Sequence, residues 1–172
     1  MIEDFIRYKK RYFKFTKYFP HAGQEKLHFP EKEARFTVAV CGRRWGKSVA
    51  AAKEIEATIT QPNKRAWVVA PTYELAEKVF REVWNELITN QGVPTRRASY
   101  RDMYIETEWG SVIEGKSADN PPSLVGEGLD LLVLDEAAKQ KATVWDMYLR
   151  PTLSDRKGKA LFITTPEGYN WV

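Results

Sequence analysis

Apolar residues recur over the first twenty positions at steps of three and four: Phe5, Tyr8, Tyr12, Phe15 and Phe19. That spacing predicts a helix over 2–19 with an aromatic stripe on one side. An amphipathic helix packed on a core is the ordinary source of such a stripe. Basic residues interleaved with aromatics also suit a nucleic-acid contact, which an opposite face of the same helix could make. A turn at Phe19-Pro20-His21 follows, and the period then changes. Residues 34–41 are rich in β-formers and predict a strand. A glycine-bearing loop leads into a helix over 47–60, and 66–70 (Ala-Trp-Val-Val-Ala) reads as a short buried strand. Pro71-Thr72 opens a further helix whose Leu75, Val79, Phe80, Val83, Trp84, Leu87 and Ile88 share one face. Residues 91–97 read as a loop, 103–106 and 111–114 as strands joined at Trp109-Gly110, and Pro121, Pro122, Gly126 and Gly128 as marks of a long loop. The runs 129–134 and 160–164 are apolar on both faces. Short runs of this kind, separated by helices, predict a mostly parallel central sheet with helices on either side, a three-layer α/β domain.

Composition narrows the setting. The 172 residues suit one domain, and 43% hydrophobic with 29% charged content is ordinary for a soluble globular chain. No apolar run of about 18 residues predicts a membrane span, and Ile2, Glu3 and Asp4 begin no signal-peptide core. Cys41 is the only cysteine, which excludes an internal disulfide and fits an intracellular home. The net charge of +4 is local: Arg7, Lys9, Lys10, Arg11, Lys14 and Lys17 outweigh Glu3 and Asp4, and the rest of the chain balances. Only the leading segment therefore offers a basic surface for nucleic acid.

Two constellations carry chemistry. Cys41-Gly42-Arg43-Arg44-Trp45-Gly46-Lys47-Ser48 lies between a predicted strand and a predicted helix. It follows the phosphate-loop pattern, with Cys41 in place of the first glycine. Glycine lets backbone N–H groups curl around phosphate oxygens, and the helix N-terminus adds partial positive charge. Lys47 would neutralise the β- and γ-phosphates of ATP while the Ser48 hydroxyl ligates Mg2+. Arg43 and Arg44 are unusual inside such a loop and would touch the phosphates or nearby acidic groups. Downstream, the buried run 131–134 ends in Asp135 and Glu136, at the edge where open α/β sheets bind ligands. Asp135 is expected to hold magnesium, usually through water, and Glu136 to orient and deprotonate the attacking water. A charged turn after a strand is common by itself. The two motifs together meet one chemical requirement, hydrolysis of Mg-ATP.

These motifs, in this order, resemble the N-terminal ATPase domain of the large terminase subunit of tailed bacteriophages. Tyr18-Phe19-Pro20-His21 with Gln24 resembles that family's adenine-recognition segment, and Val40–Ser48 its arginine-bearing phosphate loop. Ala70-Pro71-Thr72-Tyr73 is similar to its second strand edge, and Ser117–Pro121 leads into 129–138, similar to its acidic motif. Ile163-Thr164-Thr165-Pro166 is similar to its coupling motif. The resemblance runs from about residue 18 to the end. Where the family often has Arg-Gly before the acidic strand, this chain has Val125-Gly126. The resemblance implies an ASCE-type P-loop NTPase fold, with an N-terminal helical, adenine-side segment over 1–33 and a nucleotide-binding core over 34–172. It also implies a motor pumping double-stranded DNA into a viral procapsid in the host cytoplasm. The partners so implied are the portal protein, the small terminase subunit and further copies of the chain in a ring. The family's nuclease domain has no counterpart within these residues, so no nuclease activity is expected.

Other residues take lesser roles. Thr164 and Thr165 end a strand beside the expected nucleotide; a hydroxyl there would sense the γ-phosphate, and β-propensity explains it equally well. Gln24 could read adenine through paired donor and acceptor contacts, although a lone glutamine is usually on the surface. His21 and His28 lack metal-ligand spacing and read as structural. The six tryptophans are scattered singly and suit core or subunit surface. Arg96, Arg97 and Arg101 are candidates for an arginine finger given to a neighbouring subunit. Arg101 is preferred as standing at a strand start, and Arg43 is the competing choice within its own subunit. Two other functions fit the motifs: a helicase-like ATPase remodelling nucleic acid, and a nucleotide-gated interaction module, which has no use for Glu136.

Overall fold

The computed structural model describes residues 2–32 and 34–172, the side chains of Ile2 and Glu3 excepted. Glu33, where the expected N-terminal segment meets the expected core, lies outside the described residues, as does the charge of Glu3. The β-rich runs form strands β1 (Phe36–Val40), β2 (Arg65–Ala70), β3 (Thr95–Ser99), β4 (Tyr104–Thr107), β5 (Val112–Ser117), β6 (Leu131–Asp135) and β7 (Lys159–Thr164). They make one sheet in the order β1-β7-β6-β2-β5-β4-β3. The first five strands in that order run parallel; β4 and β3 turn antiparallel at the far edge.

Alternation along each inner strand splits the core in two. Val68, Leu131, Val133, Leu161 and Ile163 face helices α3 (Lys47–Ile59) and α4 (Tyr73–Trp84). Trp67, Val69, Leu132, Leu134 and Phe162 face the helical pieces α5 (Ala142–Val144), a π-turn Trp145–Leu149 and α6 (Arg150–Thr152). With both faces covered, the inner strands have no polar side to show, hence their continuous apolar runs. The predicted face of α4 buries Val79, Phe80 and Val83, and a π-turn Asn85–Asn90 carries it on to bury Leu87. Thr72 caps α4, its hydroxyl accepting from the Leu75 N–H.

The leading helix differs from expectation. Helix α1 (Ile2–Phe15) stops short of residue 19, at Lys17 in the left-handed region with φ 53°. It packs on the outer flank of α3 rather than on the sheet. Tyr12 and Phe13 are buried against Ala57, while Phe15 and Phe19 are 71% and 80% exposed. Polar anchors cause the shift: the Tyr8 hydroxyl donates to Thr60 at 2.7 Å, and that of Tyr12 to Glu56 at 3.1 Å. Lys9, one of the basic residues suited to nucleic acid, is buried instead. Its ammonium donates to Glu54 at 2.8 Å and to the His28 carbonyl at 2.6 Å. Helix α2 (Ala22–His28) follows and brings His28 onto Glu54 at 2.6 Å.

Two expectations at the antiparallel edge are corrected. Residues 95–97 belong to β3, not to a loop. The segment has no apolar alternation, and its strand form comes from pairing with β4. Arg101 lies in the exposed turn between β3 and β4, not at a strand start, because β4 begins at Tyr104.

Candidate nucleotide-binding site

Chain direction builds the site at one edge of the sheet. In the pairing, Val40 lies beside Thr164, and Ile163 beside Asp135. The ends of β1, β7 and β6 thus stand in a row, with β7 inserted between the strand of the phosphate loop and the strand of the acidic pair. At the usual strand spacing, the loop's root and Glu136 are about 10 Å apart, room enough for a phosphate group and a water.

The Cys41 amide still follows the sheet and donates to the Thr164 carbonyl at 3.0 Å. Beyond Gly42, Arg44 (φ 63°) and Gly46 (φ 89°) adopt left-handed conformations that curl the loop. Gly46 stands at the N-cap of α3 without a side-chain cap, and the first turn holds no acidic residue. The free N–H groups of that turn are therefore available to an anion. Lys47 folds back across the loop, donating to the carbonyls of Cys41 at 3.0 Å and Gly42 at 2.9 Å. Arg43 and Arg44 are exposed and form no ion pair among the described residues. Burial raises the Cys41 thiol above its ordinary range against the pull of Lys47, which keeps it neutral.

Across the row, Asp135 is buried and its Oδ1 accepts from the Glu136 N–H at 2.9 Å. Burial pushes its carboxyl up to about 6; that N–H lowers it, the Glu136 charge raises it, and Lys78 and Lys47 lower it. Glu136 itself is left-handed, at φ 47° and ψ 45°, a strained setting for a residue with a Cβ. The turn aims its carboxylate at Thr165, whose hydroxyl donates to Oε2 at 3.3 Å, with Lys139 at 3.8 Å. Thr164 is buried, and its hydroxyl accepts from the Ala138 N–H at 3.3 Å. Of the two threonines, Thr165 is the one beside Glu136.

Gln24 is buried, against the expectation of a surface glutamine. Its Nε2 donates to the Gly46 carbonyl at 3.3 Å, and its Oε1 accepts from the His21 N–H at 3.2 Å. A Cβ on Gly46 would stand 2.7 Å from that Nε2, a second reason for glycine there. Of the finger candidates, Arg96 approaches Glu106 at 3.6 Å, and Arg97 approaches Asp102 at 3.8 Å and covers the Tyr104 ring. Arg101 has no such partner among the described residues, and its neighbour Tyr100 anchors the turn to Glu77 of α4 at 2.8 Å.

Sequence reasoning missed Lys78 and Lys139. Ser48 opens onto a cleft of about 380 Å³ lined by Glu74, Glu77, Lys78, Arg81 and Glu82 of α4. Their spacing of three and four, opposite the apolar stripe, was the available signal, and it is also that of a solvated face.

A family model for the helicase domain of the RNA cytidine acetyltransferase NAT10/TcmA matches residues 38–170. That span begins inside β1 and leaves out α1 and α2. The terminase large subunit of Thermus phage G20c is 35% identical over 184 residues, covering 96% of this chain and 38% of that protein. That of Escherichia phage T5 is 38% identical over 139 residues, covering 80% and 32%. The chain thus spans about a third of the length of these relatives. The solved large terminase ATPase domain of Thermus phage P74-26 superposes with a TM-score of 0.83 at 35% identity, over 94% of this chain and 70% of that one. Unlike the helicase-domain match, the likeness to G20c omits only about seven residues, so it takes in most of the N-terminal segment as well. Across fold, site and N-terminal segment together, the chain belongs to the phage terminase large-subunit family, in its ATPase-domain part.

Proposed function

We propose that this domain binds Mg-ATP and hydrolyses it, as the motor of a terminase large subunit that drives double-stranded DNA into a procapsid in the host cytoplasm. One observation carries the reading: β7 stands between the two motif strands and sets Thr165 against Glu136, opposite Lys47 and Ser48. The donor set suits magnesium, a hydroxyl and a carboxylate leaving room for waters and phosphate oxygens. Ser48 and Asp135 would hold the ion, whose charge when bound offsets that of the β- and γ-phosphates. Lys47 exchanges its two carbonyls for phosphate oxygens. Cys41, Gly42, Arg43, Arg44, Trp45 and Gly46 wrap the phosphates, and Gln24 lies on the adenine side. Glu136, oriented by Thr165, accepts the proton of the attacking water. Arg43 acts within the subunit, and Arg101 reaches the site of a neighbour in a homo-oligomeric ring. Portal protein, small terminase subunit and DNA are the partners of that assembly. No helix among the described residues is long and apolar enough to cross a membrane. The reading assigns no nuclease chemistry to these residues.

The match to a helicase-domain family over 38–170 favours a second reading, an ATPase that remodels nucleic acid. Two experiments decide. In a phosphate-release assay, Glu136→Gln is expected to keep Mg-ATP binding and lose about 10²–10⁴ in rate. Lys47→Ala weakens binding by about 1.5–3 kcal/mol. Unchanged hydrolysis in either variant overturns the site. DNA-filled capsids from a packaging reaction with the full-length protein support the motor, and strand separation without filling supports the second reading.

A further inference from the structure

We infer that His21 is a positioning residue for the phosphate loop, its ring bridging the start of α2 to the Trp45 peptide. The inference rests on the nucleotide reading above. His21 Nδ1 accepts two backbone N–H groups, from Gly23 at 3.1 Å and Gln24 at 3.4 Å. A nitrogen receiving two donors carries its lone pair, so the ring proton sits on Nε2. Nε2 lies 3.0 Å from the Trp45 carbonyl oxygen and therefore donates to it. The two rings meet edge to face, with centroids 4.8 Å apart at 90°. Gly23 makes room for this contact, since a Cβ there would stand 3.0 Å from Trp45 Cζ2.

The consequence follows from the peptide plane. In a trans peptide the C=O and the next N–H point in opposite directions. Drawing the Trp45 oxygen toward His21 aims the Gly46 N–H the other way, into the hollow of the loop where phosphate oxygens would lie. The Gly46 carbonyl is held independently, by the Ala50 N–H at 2.9 Å and by Gln24 at 3.3 Å. Among the described residues, the Trp45 carbonyl has His21 as its hydrogen-bond partner and no other. His21 thus sets one phosphate-facing amide without touching the nucleotide.

The test uses the full chain, a fluorescent ADP analogue with Mg2+, steady-state ATP hydrolysis and thermal melting. Asparagine is a good N-cap, so His21→Asn keeps the bonds to Gly23 and Gln24, while its amide is too short to reach Trp45. A melting temperature lowered by no more than about 2–4 °C is expected, with about fivefold weaker analogue binding and a KM raised in step while kcat stays within about twofold, the loss of one modest hydrogen bond. Gly23→Ala, whose methyl would press on both the Trp45 and the His21 rings, is expected to weaken binding similarly. Wild-type affinity in His21→Asn overturns the inference. The second measurement needs no variant: ring ¹⁵N shifts of His21 in the unmodified protein report the tautomer. A proton on Nε2 supports the bridge; a proton on Nδ1 overturns it whatever the variants do. Failure of the wild-type chain to bind the analogue strikes the nucleotide reading instead, and the tautomer still decides the bridge.

Discussion

Asp135 is held in a setting that disfavours its charge. Its carboxyl stands at about 6 against an ordinary 3.8, chiefly through burial. A raised folded value means that the folded state binds this proton more tightly than the unfolded state. The contribution to stability is therefore complete below about pH 4 and is lost as the pH rises through about 6. The difference between the two values corresponds to about 3 kcal/mol at most. Asp135→Asn should accordingly raise the stability of the ligand-free chain by roughly 1–3 kcal/mol at pH 8 and remove most of the loss between about pH 4 and 6. Urea melts at low and high pH check this, and a less stable variant would show that the carboxylate is already compensated. Asp135, Glu136, Lys47 and Ser48 were legible in the sequence because each motif is contiguous and its strand-to-loop setting is local. The contacts of Gln24 and His21 with the phosphate loop were not legible, because their partners lie more than twenty residues away and only folding makes them neighbours.

The union of α1 with α3 runs through buried charge. Lys53 bridges Glu56 at 2.7 Å and Glu86 at 3.0 Å, while Gln91 ties Glu86 to the Tyr12 hydroxyl. Burial lifts the Glu56 carboxyl to about 8 even with Lys53 beside it. Removing the cation leaves two carboxyl groups facing each other in a poorly solvated place. Lys53→Met should therefore cost about 3–5 kcal/mol, read from the urea midpoint, and a near-neutral change would mean that water reaches the cluster. Elements with a clear period, such as α4, β2 and β6, could be read directly. In α1 the aromatic spacing showed a helix and misplaced its buried face, because tyrosine hydroxyls and Lys9 chose the contact as much as hydrophobicity did. In β3 no pattern was present to read: Thr95–Ser99 holds two arginines and takes its form from one neighbour.

Across the whole molecule, β1 and β3 close opposite edges of the sheet. Six strand spacings separate them, about 29 Å, and Arg101 stands in the β3–β4 turn toward the β3 edge, from which the ring reading has it serve a neighbour. Arg101→Ala is expected to leave nucleotide binding by the monomer intact and to remove assembly-stimulated hydrolysis, a factor of about 10³–10⁵. Mixing it with Glu136→Gln subunits should restore turnover, since one supplies the cleaving site and the other the arginine. No recovery at any ratio, with assembly confirmed, would sink the assignment. The layers of the fold followed from apolar runs, whereas strand order depends on long-range pairing that no run encodes. The other edge has its own consequence. Cys41 and Arg35 turn their peptide groups toward β7, so by alternation those of Phe36, Val38 and Val40 face solvent, along with their exposed side chains. In hydrogen-exchange terms, β1 has one neighbour to leave where β6 has two, and its outward amides will take up deuterium long before those of β6. The phosphate loop is rooted in the parallel strand that frays most readily, and a strand added along that edge would slow the exchange and stiffen the loop from behind.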